Sequence, residues 1–159
     1  MRELLLNDRD LSFERRLGVP PSHLWTGWTN AGILTKWFTP SPWVTEEAEI
    51  EPVLGGIFRT VMTGPNGERN EGIGTVLEAV QDRSFIWTSS LQPGLVPTEP
   101  PEHGFVFTAI IEMEPDGDGT HYRAVVRHAN AADAKQHDEM GFEAGWGAAL
   151  DQLVALYSD

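Results

Sequence analysis

Cysteine is missing altogether from the 159 residues. Disulfides, thiol nucleophiles and thiolate metal ligands are thereby excluded, and a reducing cytoplasm is the simplest compartment. Long apolar runs are missing too. The opening stretch MRELLLNDRD has a brief run of leucines and then charge, too short for the apolar core of a secretory signal. No segment approaches the roughly 20 apolar residues of a membrane helix. A soluble, cytoplasmic protein is therefore expected. Positive charge is scarce, with 11 Lys and Arg against 24 Asp and Glu and a formal net charge of −13. A field of that sign repels phosphate backbones and anionic lipid headgroups, so neither nucleic acid nor a membrane surface is expected as a partner. No repeat, low-complexity tract or linker interrupts the chain. Its length fits one domain of about 100–200 residues, spanning 1–159 with a core from 11 to 157.

Catalytic signatures are lacking as well. There is no G-x-S-x-G elbow, H-E-x-x-H pair, phosphate-binding loop or dinucleotide fingerprint. The five histidines stand at 23, 103, 121, 128 and 137. None is spaced from another as ligands on one helix or hairpin would be, so no metal and no cofactor are expected.

What the chain does have is aromatic bulk, six Trp and seven Phe, which fills cores and lines apolar pockets. It also has clear alternation. LSFERRL (11–17) reads as a strand, followed at Pro20-Pro21-Ser22 by a short helix through Trp25 and a second from Asn30 to Trp37, stopped before Pro40. A period of two then runs through 44–51, 57–63, 71–80, 84–91, 105–113 and 120–128. In these segments Ala48 and Ile50 oppose Thr45, Glu47 and Glu49. Phe58, Thr60 and Met62 oppose Arg59, and Ile73, Thr75, Leu77 and Ala79 oppose Glu78. Phe105, Phe107, Ala109, Ile111 and Met113 share a side. Tyr122, Ala124, Val126 and His128 oppose His121, Arg123 and Arg127. One antiparallel sheet of about seven strands follows, with an apolar face and a wet face. GPNG (64–67) and DGDG (116–119) supply turns. QPGLVPTEPPEHG (92–104) has too many prolines and glycines for a strand interior and reads as a long, stiffened loop, a candidate lid or binding loop.

The last segment reads as one long helix, capped by Asn130 with Asp133 three residues on, and running to Tyr157. Phe142, Trp146, Ala149, Leu150, Leu153, Leu156 and Tyr157 make one stripe about 120° wide. Gly141, Gly145 and Ala149 form a small-residue ridge at its edge. Each interior glycine costs about 1 kcal/mol against alanine, so something is expected to approach that ridge closely, with Gly147 merely tolerated. The N-terminal half, with Phe142 and Trp146 beside bare backbone, is where an unfilled interior is expected. His128 ends a strand on the inward register near His137. With Glu143 these are the candidates for acid–base chemistry or for orienting a carbonyl, the alternative being that they only hydrogen-bond the strand–helix junction. Trp25, Trp28 and Trp37 are read as anchors of the short helices, Trp87 and Trp146 as ligand-facing, and Trp43 as closing one end.

Taken in order, HLWTGWTNAGILTKWFTP, LGGIFRTVMTGPNG, GIGTVLEAV, GTHY and GFEAGWGAALDQLVAL resemble the activator-of-heat-shock-protein-ATPase-like family of the START-like (SRPBCC) superfamily. The resemblance covers about Leu11 to Tyr157. It implies an α+β helix-grip fold: a seven-stranded antiparallel sheet wrapped around the long C-terminal helix, two short helices after the first strand, and an apolar cavity between. By matching position, the cavity residues are Phe58, Met62, Ile73, Trp87, Phe107, Tyr122, His128, Phe142 and Trp146. The Gly55-Gly56 pair matches the family's turn, where positive φ is easily supplied. The function it points to is binding of a small apolar molecule. The alternatives are a cyclase, dehydratase or hydrolase acting in the same cavity, and a chaperone-ATPase-associated protein with an exposed docking patch. A homodimer is compatible with an aromatic-rich surface, although the sequence has no heptad or other association signal.

Overall fold

The computed structural model describes residues 1–158; Asp159, the last residue of the expected span, lies outside them. Strand β1 (Asp10–Leu17) leads into helices α1 (Pro21–Thr29) and α2 (Ala31–Leu34), and then strands β2 (Val44–Ile50), β3 (Ile57–Thr63), β4 (Arg69–Val80) and β5 (Ser84–Thr88) follow. A small ribbon, β6 (Leu91–Gln92) and β7 (Val96–Pro97), precedes β8 (Phe107–Asp116) and β9 (Gly119–His128), and helices α3 (Ala131–Glu139) and α4 (Phe142–Ala155) close the chain. Seven strands form one antiparallel sheet in the order β1-β9-β8-β5-β4-β3-β2. Helices α1, α2 and α4 cover one face, packing Leu24, Trp28, Leu34, Leu150 and Leu153 against inward residues such as Phe85, Ile111, Tyr122 and Val126. This is the α+β helix-grip architecture expected.

The strands appear where the alternation placed them, but two bulges change which side chains point inward. Register shifts between Thr45 and Glu47, so Thr45 joins the buried side with Ala48 and Ile50 instead of opposing them. Val76 keeps the inner parity of Gly72 and Gly74, and a second shift between Val76 and Glu78 leaves Leu77 and Glu78 together on the outer face, Leu77 beside Ile86, Ile110 and Val125, and turns Ala79 inward. The expected grouping of Ile73, Thr75, Leu77 and Ala79 therefore does not hold through β4. Phe105 precedes β8 instead of lying on it, and β5 ends at Thr88. The loop 92–104 is not wholly irregular: Leu91 pairs with Pro97 and Gln92 with Val96 in a ribbon turned by Gly94 and Leu95, both at positive φ.

The outer face is not simply wet. Leu4 packs on Ile86, Ile110 and Val125, and Val125 is fully buried. Around it Glu112, itself buried, pairs with Arg123 and with Arg2, whose Nε lies 3.0 Å from Glu112 Oε2. Arg123 also donates to the Arg2 carbonyl at 2.7 Å, and Arg127 to the Leu5 carbonyl at 2.9 Å. The first residues thus strap the sheet from behind.

The C-terminal helix is two helices. Asn130 caps α3 as expected, its Oδ1 accepting from the Asp133 amide at 2.8 Å. Gly141 then takes a left-handed conformation (φ +89°), which L residues with a Cβ resist, and α4 starts afresh at Phe142. Leu156 lies beyond α4 and is exposed, while Tyr157 stacks on His23 at 4.1 Å. The close approach expected at the ridge is absent: a Cβ at Gly141 or Gly145 would meet nothing within 4 Å. Within the helices, close neighbours are admitted instead at Gly147, where a Cβ would collide with the Arg15 guanidinium, and at Gly27 of α1, where it would collide with Leu153.

Candidate functional site

Between the inner face of the sheet and the helices lies an open-mouthed cavity of about 950 Å³. Its absence of filling has a local cause. In the β3–β4 ladder Phe58 faces Gly74 and Thr60 faces Gly72, so the inner side of β4 carries no side chain at two successive levels. Across the gap, Gly145 of α4 is equally bare. Space is left at Gly72 and Gly145, whereas at Gly74 a Cβ would collide with the Thr88 carbonyl oxygen, so that glycine admits the β5 backbone instead.

Aromatic rings line what remains. Trp87 stacks on Phe58 at 4.3 Å and stands edge-on to Phe107 at 5.4 Å, while Phe107 reaches Trp146 at 6.2 Å and Trp146 tilts against Phe142 at 5.2 Å. Trp28 meets Trp37 at 5.0 Å, and both border the cavity together with Phe38 and Trp43. Met62, Tyr122 and Leu150 complete the apolar wall. Trp28 and Trp37 therefore do more than anchor their helices. Sequence could read them as anchors by their bulk but could not show that the core would stop short of them.

Ile73 departs from its expected role. It borders the cavity, but it pairs with Arg59 across the ladder and so points to the outer face, 38% exposed. The β4 bulge lies beyond it and does not restore it. Glu143 is exposed at the start of α4 and is not among the described lining residues. It does not join the histidines.

The two histidines do meet. His128 Nε2 lies 2.9 Å from His137 Nδ1, and His128 Nδ1 lies 2.9 Å from the Arg9 carbonyl oxygen. Both side chains are buried. His137 lines the cavity, while His128 stands behind it, so His128 is not a wall residue as expected. Burial, reinforced by His128 and only partly opposed by Asp138, lowers the pKa of His137 to about 4. The imidazole is neutral at physiological pH. Tyr122 accepts a hydrogen bond from Trp28 Nε1 at 3.2 Å, and its own hydroxyl hydrogen finds no acceptor among the described residues. Burial raises its pKa, so it stays a neutral phenol.

No lysine or arginine is among the described lining residues, and the one carboxylate, Glu71, is an exposed rim group paired with Arg59 at 2.6 Å. Asn70, Gln136 and His103 add polar atoms to the wall, and the loop before β8 contributes Thr98, Pro101 and Phe105. Among the described residues no group of three or more His, Asp or Glu could hold a metal ion, and no helix is long and apolar enough to cross a membrane.

Comparison with known proteins places this geometry. A solved structure from Nitrosomonas europaea superposes with a TM-score of 0.90 at 38% sequence identity, covering 96% of each chain. A protein from Rhodobacter sphaeroides gives a TM-score of 0.80 at 21% identity, covering 95% of this chain and 93% of its own. The AHSA1 protein from Silicibacter pomeroyi gives 0.63 at 20% identity, covering 93% and 96%. The search of curated proteins found no match. The family model described as Activator of Hsp90 ATPase homolog 1-like protein matches residues 18–158. With helix grip, cavity and whole-length match all agreeing, this chain belongs to the Activator of Hsp90 ATPase homolog 1-like family.

Proposed function

We propose that this protein binds a small, neutral, predominantly apolar molecule in the cavity between the sheet and α4. The observation that carries the reading is the cavity itself: about 950 Å³, within the range of roughly 300–1,000 Å³ usual for small-molecule sites. Its wall is rich in aromatic rings, with no lysine or arginine among its described residues to meet a carboxylate or phosphate. Burying a ring-bearing ligand there removes apolar surface at roughly 25 cal/mol per Å², whereas an anionic group would be desolvated without a partner. Binding is favoured over acid–base catalysis because His137, with a pKa near 4, is a weak proton acceptor at neutral pH.

Native mass spectrometry of freshly purified protein tests this reading, followed by denaturation to release what is bound, with Nile red titration on the same sample. A released neutral molecule, or saturable Nile red fluorescence that Gly145→Leu abolishes, is the expected result. Bare sequence mass together with no saturable dye binding would overturn it.

A further inference from the structure

The structure assigns His137 a role that rests on the binding reading above: we propose that its Nε2 is a hydrogen-bond acceptor for the hydroxyl of an aromatic ligand, a phenol or enol in class, with the tautomer fixed by His128 and the Arg9 carbonyl. The argument is one of valence. A carbonyl oxygen only accepts, so His128 Nδ1, 2.9 Å from Arg9 O, carries a hydrogen. In the neutral ring His128 Nε2 is then an acceptor, and its partner 2.9 Å away, His137 Nδ1, must donate. That leaves His137 Nε2 with a bare lone pair. It makes no hydrogen bond among the described residues.

The position of the lone pair selects the ligand. His137 borders the cavity within rings of Phe105 at 4.8 Å, Phe107 at 5.2 Å and Phe142 at 5.2 Å. A planar aromatic can lie against the apolar wall of Trp87, Phe107 and Trp146 that adjoins His137, and its hydroxyl satisfies the unpaired acceptor there. A methyl ether of the same ring system leaves the nitrogen buried and unpaired, which is the costly arrangement. A carboxylate or a lone carbonyl would bring a second acceptor against the first. Burial helps hold His137 neutral, since it resists protonation until about pH 4.

Fluorescence titration with 1-hydroxypyrene and 1-methoxypyrene at pH 7 reads the hydrogen bond directly. The hydroxyl compound is expected to bind roughly three- to tenfold more tightly than its ether. In His137→Phe that preference should fall to about one, with the ether gaining affinity because no unpaired nitrogen is left for it to bury. Equal binding of both probes to the unaltered protein, or a preference that survives His137→Phe, overturns the anchor and leaves the cavity reading standing. Failure of both probes to bind overturns the anchor, while the cavity reading is decided separately by the Nile red titration and the native mass. Because His137→Phe disturbs a buried pair, nitrogen-15 spectra of the unaltered protein provide an independent check. The free protein should show His137 Nδ1 protonated and Nε2 bare, with Nε2 shifted by 1-hydroxypyrene and not by 1-methoxypyrene. A protonated Nε2 in the free protein overturns the assignment.

Discussion

His137 takes its chemistry from neighbours far away in sequence. His128 arrives from the end of β9 and the Arg9 carbonyl from the start of the chain, and burial does the rest. Its pKa near 4 against about 6.5 in an unfolded chain has a definite thermodynamic sign. Between those values the unfolded chain binds the proton and the native one does not, so stability rises with pH across the window. It is lost as pH falls from about 6.5 toward 4. The groups acting on His137 are His128, which adds to the depression, and Asp138, which opposes it. Urea denaturation of the native protein and His137→Phe at pH 7 and pH 4.5 should show a smaller acid loss in the variant. The difference should be at most about 3 kcal/mol, and equal acid losses would contradict it. Sequence could place His128 inward and near the next helix, because strand parity and a short connection fix both. It could not show that Glu143 points away, since the helix phase on which that depends is reset at Gly141.

At the scale of elements, glycine positions separate two jobs that look alike in sequence. Gly141 ends one helix and starts another at φ +89°, whereas Gly145 lies within α4 with open space where a Cβ would be. Gly141→Ala should therefore destabilise by about 1–2 kcal/mol through left-handed strain, with dye affinity little changed. Gly145→Leu should fold with unchanged or slightly greater stability, because leucine is the better helix former by roughly 0.8 kcal/mol. It should, however, lose Nile red binding as its side chain enters the cavity. Thermal denaturation and dye titration of the two variants check the contrast. The reading of Gly141, Gly145 and Ala149 as a packing ridge fails because the face they share borders the cavity, where nothing approaches Gly141 or Gly145. Bulges undo strand parity. Nothing in VTEEAEI marks the shift between Thr45 and Glu47, which is set by pairing with β3.

Across the whole molecule, the sheet is held from both sides. The helices seal the inner face, and residues 1–9 cross the outer face over Leu4 and the Glu112 ion cluster. Burial disfavours the Glu112 carboxylate, but hydrogen bonds from Arg123 and Arg2 outweigh it and hold its pKa below the ordinary value. Glu112→Ala would leave Arg123 largely buried without its partner. A loss of roughly 3–5 kcal/mol is expected, with faster hydrogen exchange in residues 1–9 and unchanged Nile red affinity; exchange unaltered in that segment would show that the strap holds by other contacts. Resemblance to the family supplied most of the cavity wall from Phe58 to Trp146, and sequence by itself determined the seven strands of the sheet, the two short early helices, their order and the sheet's inner register over β8 and β9. Those follow from periodicity, turn residues and side-chain bulk, which are properties of neighbours along the chain. Only the tertiary structure decided where that wall stays unfilled, which way Ile73 and Glu143 face, and that His128 and His137 form a pair with one free lone pair. Each of these depends on how two distant segments meet, and a one-residue bulge or a single left-handed glycine is enough to change the answer.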